Sequence, residues 1–144
     1  MFTRIDHLGV AVPDLDAAIA FHERTFGMQC VHVETNDQQG VREAMLAIGD
    51  GTARLQLLEP VVADSAIAKF LARSGPGLHH VAYRVDDIAA SSAQIVASGL
   101  RLLYDQPRRG TSNSLINFVH PKDAGGVLVE LVQHPADGSG EAGS

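Results

Sequence analysis

A single cysteine stands in 144 residues, so no internal disulfide can form and packing alone must hold the fold. Long apolar runs are absent. None approaches the roughly 20 residues that a membrane-spanning helix needs. The N-terminus also lacks the pattern of a secretory leader, because Arg4 and Asp6 interrupt it and no cleavage site follows. The expectation is a cytoplasmic protein with no membrane partner. Basic residues are few: 11 Lys and Arg stand against 17 Asp and Glu, for a net charge of −6. That balance argues against nucleic acid as a partner, which needs a basic face. It leaves room for an anionic ligand held by a few local cations. No G-x-S-x-G elbow, G-x-G-x-x-G or Walker A run occurs, so neither a serine nucleophile nor a nucleotide cofactor is expected. Cys30 has no evident catalytic partner.

What the chain does have is enough apolar content for a packed core, at 45 % hydrophobic and 19 % charged residues. It also repeats itself. IDHLGVAVPDLDAA at 5–18 aligns with LHHVAYRVDDIAAS at 78–91, pairing His7 with His80, Val12 with Val85 and Asp14 with Asp87 at a separation of 73. RLQLLEP at 54–60 aligns with LVELVQHP at 128–135 at a separation of 74, which sets Gln56 opposite Glu130. Two matches in the same order and at nearly one offset point to an internal duplication.

Each half reads as βαβββ. Alternation rich in Val, Ile and Leu predicts a strand over 4–12. Asp14 then caps a helix with Leu15, Ile19, His22 and Phe26 on one face and Gly27 as its stop. Strands fit 28–35, 41–48 and 53–59. A linker helix at about 63–73 lies within 61–77. The second half predicts a strand at 78–85, a helix at 87–98 and strands near 101–104, 114–120 and 126–133. The fold class is therefore α+β. One domain spans 1–135, its tandem modules covering about 3–60 and 78–135 and pairing into one curved mixed sheet around a ligand site. One half alone has too little core to be stable. A polar Gly- and Ser-rich tail, 136–144, is expected to be disordered.

Strand alternation places His7 on a face with Gly9 and Ala11, and His80 on a face with Ala82. The small neighbours leave room beside each imidazole. The repeat selects His80 over His79 as the equivalent of His7. Glu130 lies within the apolar run VLVELV, where a carboxylate is costly unless a cation or strong donors meet it. Two imidazoles, a carboxylate and the amide of Gln56 suit one divalent ion such as Co²⁺, Zn²⁺, Mn²⁺, Ni²⁺ or Fe²⁺. Taken singly these residues have plainer readings; Glu130, for one, could pair with Arg54 or Arg84. Their equivalence across the repeat is what favours a metal. Glu43, in VREAMLAI, shares its face with Val41, Met45 and Ala47. It reads either as a proton-transfer group with a raised pKa or as an edge-strand glutamate paired with Arg42. His22 is expected on a helix face, and His32, His120 and His134 at strand ends or on the surface. His79 is expected on the opposite face of its strand. Arg108, Arg109 and Lys122, in a polar loop, read either as solvated surface charge, the more frequent case, or as groups that hold substrate phosphates, with Arg108 and Lys122 the substrate-binding candidates.

These residues resemble the vicinal-oxygen-chelate superfamily, which includes glyoxalase I and the extradiol dioxygenases. Within it the chain is similar to the methylmalonyl-CoA epimerase family over about 3–135. The likeness rests on IDHLGVAVPD, ERTFG, QGVREAML, GLHHVAYRVDDI, LLYDQPRRG and INFVHPKDAGGVLVELVQ. It implies metal ligation by His7, Gln56, His80 and Glu130, with Co²⁺ preferred. It implies Glu43 as catalytic acid/base, with Glu130 as the second such group or a metal-bound water in its place. It further implies a homodimer acting on methylmalonyl-CoA in propionyl-CoA metabolism. Competing expectations are a glyoxalase-type lyase or extradiol dioxygenase on the same fold, and a non-catalytic ligand-binding member.

Overall fold

The computed structural model describes residues 1–136. Apart from Ala136, the expected disordered tail lies outside them. The strand β1 (Arg4–Ala11) buries His7, Gly9 and Ala11 on alternate positions. The helix α1 (Leu15–Phe26) starts where the Asp14 carboxylate accepts the Ala17 N–H. It stops at Gly27, whose φ of 69° closes the last turn. Then follow β2 (Gln29–Asn36), β3 (Val41–Ala47), β4 (Arg54–Pro60) and the helix α2 (Ala66–Ser74), capped by Ser65. After β5 (Gly77–Arg84) comes α3 (Ile88–Ala97), with Asp87 capping it as Asp14 caps α1. The chain closes with β6 (Arg108–Arg109), β7 (Leu115–Val119) and β8 (Val129–Gln133). The expected α+β class holds: the two βαβββ modules contribute to one mixed eight-stranded sheet, ordered β2-β3-β4-β1-β5-β8-β7-β6.

The chain forms two compact units, His7–His79 and Met1–Asp6 with the segment from His80 onward. In the first, β4 runs parallel to β1 and antiparallel to β3. Its core joins Val12, Leu15, Ala44, Leu46 and Leu57, with Ala18 and Ile19 of α1 packed against it. Burying a leucine of this kind stabilises by roughly 1.5–3 kcal/mol. Phe26, expected on the same face, is instead 60 % exposed. It is the last residue of α1 and lies edge-on to Phe21. In the second unit, β8 runs parallel to β5 and antiparallel to β7, over a core of Val85, Ile88, Ile95, Val119 and Leu131.

One feature of the repeat has no obvious trace in the sequence. The first N–H of α1, on Leu15, donates to Glu59 Oε2 at 3.0 Å, and that of α3, on Ile88, donates to Gln133 Oε1 at 2.8 Å. Each helix start is thus tied to the end of its module's last strand by equivalent residues. The expected strand at 101–104 is not a ladder. A single bridge joins Leu102 to Val119, and the buried Asn117 side chain takes the place of further pairing. Its Oδ1 accepts the Tyr104 N–H at 3.1 Å and its Nδ2 donates to the Tyr104 carbonyl at 3.0 Å. The short strand falls later, at β6. Next to it Gly110 is required, since a Cβ there would meet Ile116 Cγ2 at 2.6 Å and Ser114 Oγ at 2.8 Å.

Candidate functional site

In the first unit, strand register gathers three of the residues singled out by sequence. His7 pairs with Arg54 and Gly9 with Gln56 across β1 and β4, so His7 and Gln56 share a sheet face. Met45 lies opposite Gln56 across β3 and β4, and Glu43 lies opposite Leu58. Glu43 and Gln56 are therefore diagonal neighbours on that face, a spacing long side chains can bridge. They do bridge it: Gln56 Nε2 donates to Glu43 Oε2 at 3.2 Å. The Gln56 carbonyl oxygen is buried. His7, Glu43 and Gln56 are all buried, at 3 %, 3 % and 4 % exposure. Glu43 is thus no edge-strand surface residue, and Arg42 instead pairs with Asp16 at 3.0 Å.

The second unit repeats the register. Ala82 lies opposite Glu130 as Gly9 lies opposite Gln56, which puts His80 and Glu130 on one face. His80 Nε2 lies 3.1 Å from Glu130 Oε1, with both side chains buried. The Phe118 ring meets His80 edge-on and shields the pair. Glu130 thus has His80 as a partner. One difference between the modules matters for chemistry. The residue opposite Glu130 is Phe118, as Met45 is opposite Gln56, so Ile116 stands where Glu43 does. The site has no second carboxylate from β7.

In the second unit His80 and Glu130 each offer one ligand atom, within 4.8 Å of each other, and in the first unit His7 offers a further imidazole nitrogen. Two imidazole nitrogens and a carboxylate oxygen suit a divalent first-row ion. A buried amide oxygen at Gln56 suits it also. The donor set therefore fits a metal, and its chemistry leaves several ions eligible.

The remaining histidines lie apart from these donors. His79 faces away from His80 and meets Phe70 edge-on at 5.1 Å. His22 sits on α1, with Nδ1 2.8 Å from the Ala18 carbonyl. His32, expected at a strand end or surface, lies within β2, half-buried, with Nε2 2.5 Å from Glu34. His120 accepts the Lys122 N–H just beyond β7. His134, just past β8, is more enclosed than expected, with its side chain 7 % exposed and Nε2 2.6 Å from Asp6. Arg108 is exposed and stacks over the Tyr104 ring at 3.8 Å. Lys122 is exposed in a short 3₁₀ turn, Pro121–Asp123. Burial pushes the Cys30 thiol pKa up, which keeps it in the unreactive protonated form.

With the fold and the donor set in hand, comparison with known proteins places the chain. The Glyoxalase/Bleomycin resistance protein/Dioxygenase superfamily profile matches residues 6–118, and the chain belongs to that superfamily. Within it the chain falls among the methylmalonyl-CoA epimerases, isomerases of the racemase and epimerase class. Methylmalonyl-CoA epimerase from Mycobacterium tuberculosis is 51 % identical, with a TM-score of 0.91, covering 93 % of this chain and 89 % of its own. A variant of the Streptomyces coelicolor enzyme, solved with 2-nitronate-propionyl-CoA, is also 51 % identical. Its TM-score is 0.91, with 94 % of this chain and 100 % of that one covered. The ethylmalonyl-CoA/methylmalonyl-CoA epimerase of Cereibacter sphaeroides is 35 % identical over 92 % of this chain and 99 % of its own length.

Proposed function

We propose that this chain is a metal-dependent epimerase that interconverts the (R) and (S) forms of methylmalonyl-CoA by proton transfer at C2. The observation that carries the reading is the buried Glu43 carboxylate, held by Gln56 on the face that also bears His7. Relatives of known activity supply the substrate class.

The C2 hydrogen of a malonyl thioester lies between two carbonyl groups. Removing it leaves an electron pair that delocalises into the thioester as an enolate. Epimerisation requires that proton to leave one face and a proton to arrive on the other. Glu43 accepts the proton from C2 on its side, and its burial among Val41, Met45 and Leu58 keeps bulk water from competing. Gln56 fixes the carboxylate by donating its amide N–H to Oε2. Glu130 is the second acid/base group. Among the described residues it and Glu43 are the only carboxylates classed as buried. A ligating carboxylate is the weaker base of the two, and His80 at 3.1 Å steadies it. His7, Gln56, His80 and Glu130 would hold one divalent ion, which supplies Lewis-acid stabilisation of the charge developing on the thioester. Arg108 and Lys122 are assigned to anionic parts of the substrate. The family likeness adds Co²⁺ as the preferred ion and a homodimer to this reading, and the single cysteine adds a cytoplasmic location. Among the described residues no helix is long and apolar enough to cross a membrane.

Incubation with methylmalonyl-CoA in D₂O, with and without Co²⁺, tests the proposal. NMR should show deuterium entering C2 and the (R) and (S) forms equilibrating in the presence of the ion. No exchange in the metal-loaded protein would sink it.

A further inference from the structure

A cavity of about 530 Å³ opens in the second unit where β1 begins and β5 and β8 end. Its walls include Arg4, Arg84, Asp86 and His134. This volume is in the range that small ligands occupy. Two guanidinium groups line one opening. Desolvation first, and then the charge of Arg4, lower the Arg84 pKa, against the opposing charges of Asp6 and Asp86, and an anion seated between the two guanidinium groups would offset the first two effects. The third group is His134. Its ring is nine-tenths enclosed and its Nε2 is held by Asp6 at 2.6 Å, which fixes the tautomer. The other ring nitrogen, Nδ1, is buried and has no hydrogen-bond partner. A buried ring nitrogen in that state costs free energy until something meets it. When the ring is neutral Nδ1 accepts from a hydroxyl; when protonated it donates to an oxyanion. A phosphate group offers both kinds of oxygen, and paired arginines are the side chains best matched to it. Asp86 opposes a fully charged ligand, which favours a group that can carry one proton.

We propose that Arg4, Arg84 and His134 form a phosphate-binding site distinct from the His80–Glu130 pair. Arg84 lies four residues beyond His80, and His134 four beyond Glu130. In an extended strand four residues span about 13 Å. The site could therefore take a phosphate of a long substrate such as an acyl-CoA, in which case it rests on the proposed activity, or a free phosphate compound.

The test titrates inorganic phosphate and pyrophosphate into the full chain by calorimetry, and follows the His134 ring signals by NMR. Saturable binding, with His134 shifting, is expected. Arg4→Gln and Arg84→Gln should each weaken it by about tenfold, the scale of one charge-assisted contact, and Arg84→Lys should recover part of the loss. Circular dichroism melts of each variant separate lost binding from lost folding. No saturable binding, or binding unchanged in folded Arg4→Gln and Arg84→Gln, overturns the site. A second arm assigns the source. It compares KM for methylmalonyl-CoA with that for a phosphate-free methylmalonyl-pantetheine thioester. If the site takes the substrate's phosphate, the KM advantage of the CoA ester narrows in the arginine variants. If the advantage is unchanged while phosphate binding is lost, the ligand is a free phosphate. Phosphate binding in a chain that shows no epimerisation would leave this site standing and defeat only the proposed activity.

Discussion

Glu43 shows how a single side chain becomes interpretable only with its neighbours. Alternation in VREAMLAI put it on an apolar face, but could not say whether that face was buried. The register of β3 on β4 settled the matter by bringing the Gln56 amide within 3.2 Å. Gln56 itself looked unremarkable except for its place opposite Glu130 in the repeat. His134 was illegible, because its enclosure depends on Asp6, 128 positions away in the chain. Glu43→Gln keeps the volume and the contact with Gln56 but removes the basic oxygen. The expected outcome is a loss of C2 deuterium exchange of about 10²–10⁴-fold, with metal content, measured by elemental analysis, unchanged. Normal exchange in that variant would move the proton-transfer role elsewhere.

At the scale of elements, the strands and helices followed from periodicity and caps. Asp14 caps α1 in the position the sequence indicated, and its repeat equivalent Asp87, read as the first helical residue, caps α3. Replacing either by alanine should cost about 1 kcal/mol, read as a lower denaturant midpoint with an unchanged slope. The 101–104 segment departed from expectation because a side chain can stand in for a ladder. Asn117 satisfies both polar groups of the Tyr104 peptide, and a single residue of that kind leaves no periodic signal. Asn117→Leu keeps the bulk and strands those groups. It should destabilise by about 2–3 kcal/mol, against a small effect for a surface change such as Ser98→Ala. The same region carries a pH signature. Arg101 grips Asp123 through its side chain and its backbone N–H, holding the carboxyl pKa at about 2, below its usual 3.8. A depressed carboxylate stabilises the fold above its unfolded pKa, and loses that contribution as the pH falls through its folded one. The stability difference between wild type and Asp123→Asn should therefore hold at neutral pH and fade from about pH 4 to about pH 2, as followed by acid unfolding. A difference that persisted below pH 2 would assign it to packing.

For the whole molecule, duplication was the most informative signal, since its two aligned segment pairs pointed to the fold class and proposed the four donors together. The modules are not alike throughout, since Ile116 occupies the position equivalent to Glu43. Only a register, which the sequence does not contain, exposes that asymmetry. The duplication carries a thermodynamic consequence as well. An ion taking His7 and Gln56 from one repeat, and His80 and Glu130 from the other, would bind the folded chain and not the unfolded one. Binding of that kind stabilises by mass action, by about 2.7 kcal/mol at a free ion concentration 100 times Kd. For a chain of this size that is a rise of several degrees in Tm. Differential scanning calorimetry should show the rise with Co²⁺, its reversal by EDTA, and its loss in His7→Ala and in His80→Ala alike. Loss in only one of the two would mean that the ion sits on donors from a single repeat. An undiminished rise in both would place it on other groups altogether.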